Sequence, residues 1–189
     1  QGGSSAGKTI GVELRMINKL QSNKGLLSSV VSETMPHLKR GAIRDFLSIL
    51  ESQGYYDDKR WNRSDMIYTF ETGSKLEFFS ADQPAKVRGP RRDRLFINEA
   101  NNIPHETFDQ LEVRTRECIY LDWNPTSEFW FYTDLYPSRP DDIDFVGDNG
   151  NYPPLTYLDN EALDEIMIQE IESHKGNQAW WTVYGLGKL

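Results

Sequence analysis

Eight residues constrain this chain more than any others: Gly2-Gly3-Ser4-Ser5-Ala6-Gly7-Lys8-Thr9. They fit G-x-x-x-x-G-K-[ST], in which glycines let backbone N–H groups converge on a phosphate without side-chain obstruction. Ile10, Leu14 and Ile17 then share one face of a helix. The loop therefore opens onto the positive end of that helix. In such an arrangement the lysine, here Lys8, reaches the β- and γ-phosphates and the Thr9 hydroxyl holds Mg²⁺. Gly2, Gly3, Ser4, Ser5, Ala6, Gly7, Lys8 and Thr9 are all candidate nucleotide-binding residues. A strand has to precede such a loop to aim it, so the first strand or strands of the domain are expected before Gln1.

The rest of the chain alternates between strand-like and helix-like segments. Residues 26–32 (LLSSVVS) read as a strand, and Thr34 and Pro36 mark a helix start followed by an apolar stripe at Ile43, Phe46, Leu47 and Leu50. Residues 66–71 and 75–80 form a hairpin candidate around Thr72-Gly73-Ser74. Residues 95–97 and 118–123 are further strands, 143–146 is one more candidate, and Pro104 begins a short helix. Asp159 or Asn160 is expected to cap a last helix carrying Leu163, Met167 and Ile171. This alternation predicts an α/β domain with a central, mainly parallel sheet and helices on both faces.

Three more segments carry chemistry. Residues 94–100 (RLFINEA) are an apolar strand ending in two polar side chains. An acidic residue at such a strand end serves the metal shell, and a following glutamate polarises the attacking water. Here Asn98 stands at the metal position without a charge, and Glu99 keeps the catalytic carboxylate. The strand at 118–123 ends in Asn124-Pro125, where an amide can sense a γ-phosphate. The basic run Lys86 to Arg94 offers an arginine finger, with Arg88 before Gly89 the preferred candidate. Arg91 and Arg92 compete for contact with a DNA backbone.

Composition narrows the alternatives. With 21 Lys+Arg against 29 Asp+Glu, the net charge of −8 excludes a uniformly basic nucleic-acid coat. The single cysteine, Cys118, excludes an internal disulfide and a cysteine-rich metal site, and sits in an apolar stretch that suggests burial. His37, His105 and His174 lack metal-ligand spacing. No apolar run approaches the roughly 18 residues of a membrane span.

The order of these motifs resembles the N-terminal ATPase domain of the large terminase subunit of tailed bacteriophages. The GKT loop, Arg88-Gly89, Asn98-Glu99-Ala100, Asn124-Pro125, Thr156 to Asn160 and the closing residues 181–187 (WTVYGLG) carry it over nearly the whole chain. The resemblance implies a RecA-like P-loop NTPase domain spanning residues 1–189, with a nuclease domain following Leu189. It implies ATP and Mg²⁺ as ligands, with Glu99 activating water, Asn124 coupling hydrolysis to movement, and Arg88 acting on a neighbouring subunit's ATP. Implied partners are double-stranded DNA, a portal protein, a small terminase subunit and further copies in a ring on the procapsid, in the cytoplasm of an infected bacterium and without a membrane. Two departures stand out. Asn98 replaces an aspartate, and Ser4 stands where many members carry an arginine. Two other readings stay open: a nucleotide-binding module that does not hydrolyse, because of Asn98, and another DNA-dependent ATPase or helicase.

Overall fold

The computed structural model describes all residues, Gln1–Leu189. They divide into two compact units: Gln1–Lys8 with Asp122–Leu189, and Thr9–Leu121.

The Thr9–Leu121 unit is built on a six-stranded sheet in the order β2-β3-β4-β1-β5-β6. The strands are β1 (Leu27–Ser32), β2 (Trp61–Asn62), β3 (Ile67–Thr69), β4 (Lys75–Ser80), β5 (Arg92–Ile97) and β6 (Thr115–Leu121). β4, β1, β5 and β6 run parallel, and β2 and β3 add an antiparallel edge. The hairpin expected around Gly73 is therefore present as β3 and β4. The helices are α1 (Lys8–Ser22), α2 (Met35–Arg40), α3 (Ala42–Ser52), α4 (Pro84–Val87) and α5 (His105–Glu112). The apolar stripe read after Thr34 belongs to α3, because the backbone breaks at Gly41 between two helices.

Strand alternation distributes the core. Val30, Phe78 and Phe96 pack with Met16, Ile17 and Leu20 of α1, Leu38 of α2, and Phe46 and Leu50 of α3. Their neighbours Val31, Phe79 and Ile97 belong to the opposite face, and α5 contributes its own buried Phe108 and Leu111. β5 is longer than its apolar residues suggest because a bulge between Arg92 and Arg94 extends its pairing. That bulge also corrects an expectation. Arg92 is fully buried, with its guanidinium 5.5 Å from the centre of the Phe79 ring, so it is not placed to touch a DNA backbone. Cys118 differs as well: β6 is the sheet's edge strand, and the thiol is only partly buried.

The other unit is held by aromatic packing instead of a sheet. Trp123, Phe131 and Phe145 are buried together, with ring centres 4.5 to 5.9 Å apart. This packing explains why residues 143–146 do not form the expected strand. Phe145 turns into the cluster, and its carbonyl accepts from the N–H groups of Asn151 and Tyr152 in a tight loop. The last helix, Glu165–Ser173, is capped by Asp164, whose carboxylate accepts from the Met167 N–H at 2.8 Å. Asp159 is occupied elsewhere, in a reciprocal cap with Thr156.

Candidate functional site

The glycine loop is fixed from one side by three backbone hydrogen bonds. Gly2, Gly3 and Ser4 donate their N–H groups to the carbonyls of Trp123, Leu155 and Tyr184 at 3.2, 2.8 and 2.8 Å. Gly3 has no room for a side chain, since a Cβ there would lie 2.4 Å from the Tyr184 carbonyl oxygen. Beyond Ser4 the backbone changes hand. Ser5 and Gly7 both take positive φ, 57° and 73°, and the N–H groups of Ser5, Ala6 and Gly7 make no hydrogen bond to the chain. Such alternation turns successive N–H groups toward one concavity, the geometry that holds anions. Asn160 supports the turn from outside by donating to the Ser5 carbonyl at 2.8 Å. The expected loop thus splits in two: residues 2–4 anchor it, and residues 5–7 present donors.

Lys8 closes this arrangement. Its ammonium donates to the Gly2 carbonyl at 3.1 Å, the Gly3 carbonyl at 2.7 Å and Asn124 Oδ1 at 2.8 Å. Three acceptors match the three donors of an ammonium. Lys8 and Asn124, singled out separately in the sequence, are therefore brought into direct contact.

A second constellation lies within the Thr9–Leu121 unit, at the ends of β1 and β5. The backbone N–H of Asn98 donates to the Val31 carbonyl at 2.8 Å, which fixes the strand end. Its amide lies between two hydroxyls: Ser32 Oγ donates to Oδ1 at 2.9 Å, and Nδ2 donates to Thr9 Oγ1 at 3.3 Å. Glu99 follows with a left-handed backbone, φ 57° and ψ 58°, uncommon for a residue with a side chain. Its Oε2 is met by His37 Nε2 of α2 and by Asn102 Nδ2, both at 3.1 Å. Thr9, Asn98 and Glu99 are thus neighbours or direct contacts within this unit. Arg88 is not part of this cluster. It caps α4, is exposed, and donates from Nε to Gln110 Oε1 on α5 at 3.0 Å.

Sequence reasoning missed Ser32, His37, Asn102 and Asn160. Each reaches its partner through the fold, and none belongs to a motif of fixed spacing. Only Ser32 left a sign: a serine ending an apolar strand that is otherwise a buried run.

The sheet order and the glycine loop together define a RecA-like α/β domain with a mainly parallel sheet. The family model described as phage terminase large subunit matches residues 1–188, and the chain belongs to that family. Solved structures agree on the fold. The large terminase of a thermophilic bacteriophage superposes with a TM-score of 0.75 at 20% identity, over 98% of this chain and 46% of that one. The same terminase in complex with ATP-gamma-S gives 0.73 at 21%, over 98% and 45%. The large terminase of bacteriophage HK97 gives 0.63 at 10%, over 100% and 45%. The chain spans a little under half the length of these proteins. No curated protein sequence matches it. No helix is long and apolar enough to cross a membrane.

Proposed function

We propose that this chain is the ATPase domain of a viral DNA-packaging motor, binding ATP at residues 2–9 and hydrolysing it to drive double-stranded DNA into a procapsid. One observation carries the reading. The N–H groups of Ser5, Ala6 and Gly7 form an open concavity in the loop that ends in the Lys8 ammonium. An anionic phosphate tail is the ligand such a cradle selects. The ADP and ATP-gamma-S complexes of the thermophilic phage's terminase, a relative in fold, support nucleotide as that ligand.

In this reading Lys8 exchanges the Gly2 and Gly3 carbonyls for β- and γ-phosphate oxygens and offsets charge developing on them. Asn124 loses or keeps its lysine contact according to whether that phosphate is present, which makes it the coupling residue. Glu99 leaves His37 and Asn102 to accept the proton of the attacking water. Arg88, exposed at the end of α4, serves as the arginine finger for a neighbouring copy in the ring. The Thr9 hydroxyl and the Asn98 amide are neutral oxygen donors of the kind that suits Mg²⁺, and these two residues would hold it. When bound, the cation neutralises charge on the phosphate oxygens. The working assembly is a ring of such chains on the portal, with the small terminase subunit, in the host cytoplasm.

A second reading has its own observation. Asn98 contributes no charge, so the domain could bind nucleotide without turning it over. Phosphate release by the wild type and by Glu99→Gln separates the two. The motor reading expects turnover that the variant loses while still binding ATP. Binding without turnover in the wild type, with and without DNA, favours the binding module.

A further inference from the structure

Asn98 is a built part of its strand end and not a chance surface residue. It is 5% exposed, Ser32 beside it is fully buried, and both ends of its amide are hydrogen-bonded to hydroxyls. Ser32 and Thr9 are hydroxyls and Asn98 is an amide, so none of the three carries a charge. The nearest carboxylate in sequence, Glu99, gives its Oε2 to His37 and Asn102. Nowhere in the chain do three His, Cys, Asp or Glu side chains gather into a metal-holding group.

A fixed carboxylate at this strand end has two electrostatic effects. It attracts a divalent cation that arrives with a phosphate tail, and it repels the same tail when the cation is missing. Both effects make nucleotide binding depend on metal. An amide of the same shape removes both.

We propose that Asn98 uncouples nucleotide binding from metal: the phosphate tail is held by Lys8 and the loop N–H groups about as tightly without Mg²⁺ as with it. This rests on the reading of residues 2–9 as a nucleotide site. Any cation present is then held by the nucleotide's own oxygens, with Thr9 and Asn98 as neutral supports. Asn98 is a residue that determines how the site responds to metal, and its effect is on binding, separate from the chemistry of turnover.

The test is calorimetric titration of the whole chain with ADP, once in EDTA and once in excess Mg²⁺, for the wild type and Asn98→Asp. The wild type should differ by less than about threefold between the two buffers. Asn98→Asp should restore a metal enhancement of about 10- to 100-fold, the size typical of second-layer carboxylates at metal sites. A wild-type enhancement of tenfold or more overturns the proposal, whatever the variant does and even if the variant fails to fold. A folded Asn98→Asp with the wild-type ratio overturns it as well. If ADP binds in neither buffer, the nucleotide reading itself falls and takes this inference with it. Binding that depends strongly on metal leaves that reading standing and removes only the role given to Asn98.

Discussion

Lys8 and Glu99 are both engaged by internal partners, but the partners differ in kind. Two of the three acceptors on Lys8 are carbonyls of Gly2 and Gly3, and the N–H groups of those residues are tied to Trp123 and Leu155. The ammonium therefore sits in a frame of backbone that cannot move without breaking a ladder. Glu99 is held by side chains alone, His37 and Asn102, on an accessible surface where the His37 and Glu99 side chains are 42% and 36% exposed. Such contacts exchange with water at little cost. The contrast separates a rigid binding element from a carboxylate that can turn, and each half of it can be broken.

The largest effect is expected at Glu99. Replacing it by glutamine keeps shape and hydrogen bonding but removes the base. Turnover should fall by about 10²- to 10⁴-fold, the usual contribution of a general base, while ATP affinity stays unchanged. Phosphate release and equilibrium binding read the two quantities separately. Lost affinity in a folded Glu99→Gln would show that the carboxylate belongs to the binding frame, and the contrast would vanish. Lys8→Ala should do the opposite. Losing a hydrogen bond to a charged group costs about 1.5–3 kcal/mol, so ADP should bind roughly 10- to 100-fold more weakly. A Lys8→Ala chain that binds ADP normally would remove the loop from the site.

How much of this was readable beforehand follows from the range of the interactions. The glycine loop and the parallel strands β1, β4 and β5 are local signals: a turn chemistry, and short buried runs bounded by breaks. They lie where the sequence predicts. The strand expected at 143–146 failed because Phe145 is claimed by Trp123 and Phe131, partners that no local pattern announces. The cap of the last helix failed for a similar reason, since Asp159 and Asn160 serve Thr156 and Ser5. Within the site, residue types were legible because chemistry limits them. Their partners were not. Asn124 as an acceptor for Lys8, and His37 as a donor to Glu99, are products of the fold.

A second cation sharpens the contrast from inside the sheet. Arg92 is buried like Lys8 but lacks its acceptors: Nε, Nη1 and Nη2 all go without a hydrogen bond. Burial accordingly pulls its pKa below the usual guanidinium value, against the raising influence of Glu77. The Phe79 ring is its neighbour, and an apolar side chain of similar length would suit that surface. Arg92→Met should stabilise the protein by about 1 kcal/mol, the low end for replacing buried charges with apolar groups. Thermal unfolding should shift upward by about 2–4 °C. A downward shift would mean that the guanidinium has a partner such as a buried water, and that it is satisfied as Lys8 is.

The smallest effect is expected at His37, and it bears most directly on the mobility of Glu99. The His37–Glu99 contact joins two side chains that are each more than a third exposed. Pairs of this kind contribute about 0.2–1 kcal/mol at most, because solvent screens them and ordering two side chains costs entropy. Asn102 also remains on Oε2 when the imidazole is removed. His37→Ala should therefore lower the free energy of unfolding by less than about 0.5 kcal/mol, within the range of an ordinary surface substitution. Chemical denaturation with a matched m-value can resolve that limit. A loss of about 2 kcal/mol or more is of the size found for breaking a buried network. The carboxylate would then be locked as firmly as Lys8, and leaving His37 to meet water would cost more than the proposed chemistry allows.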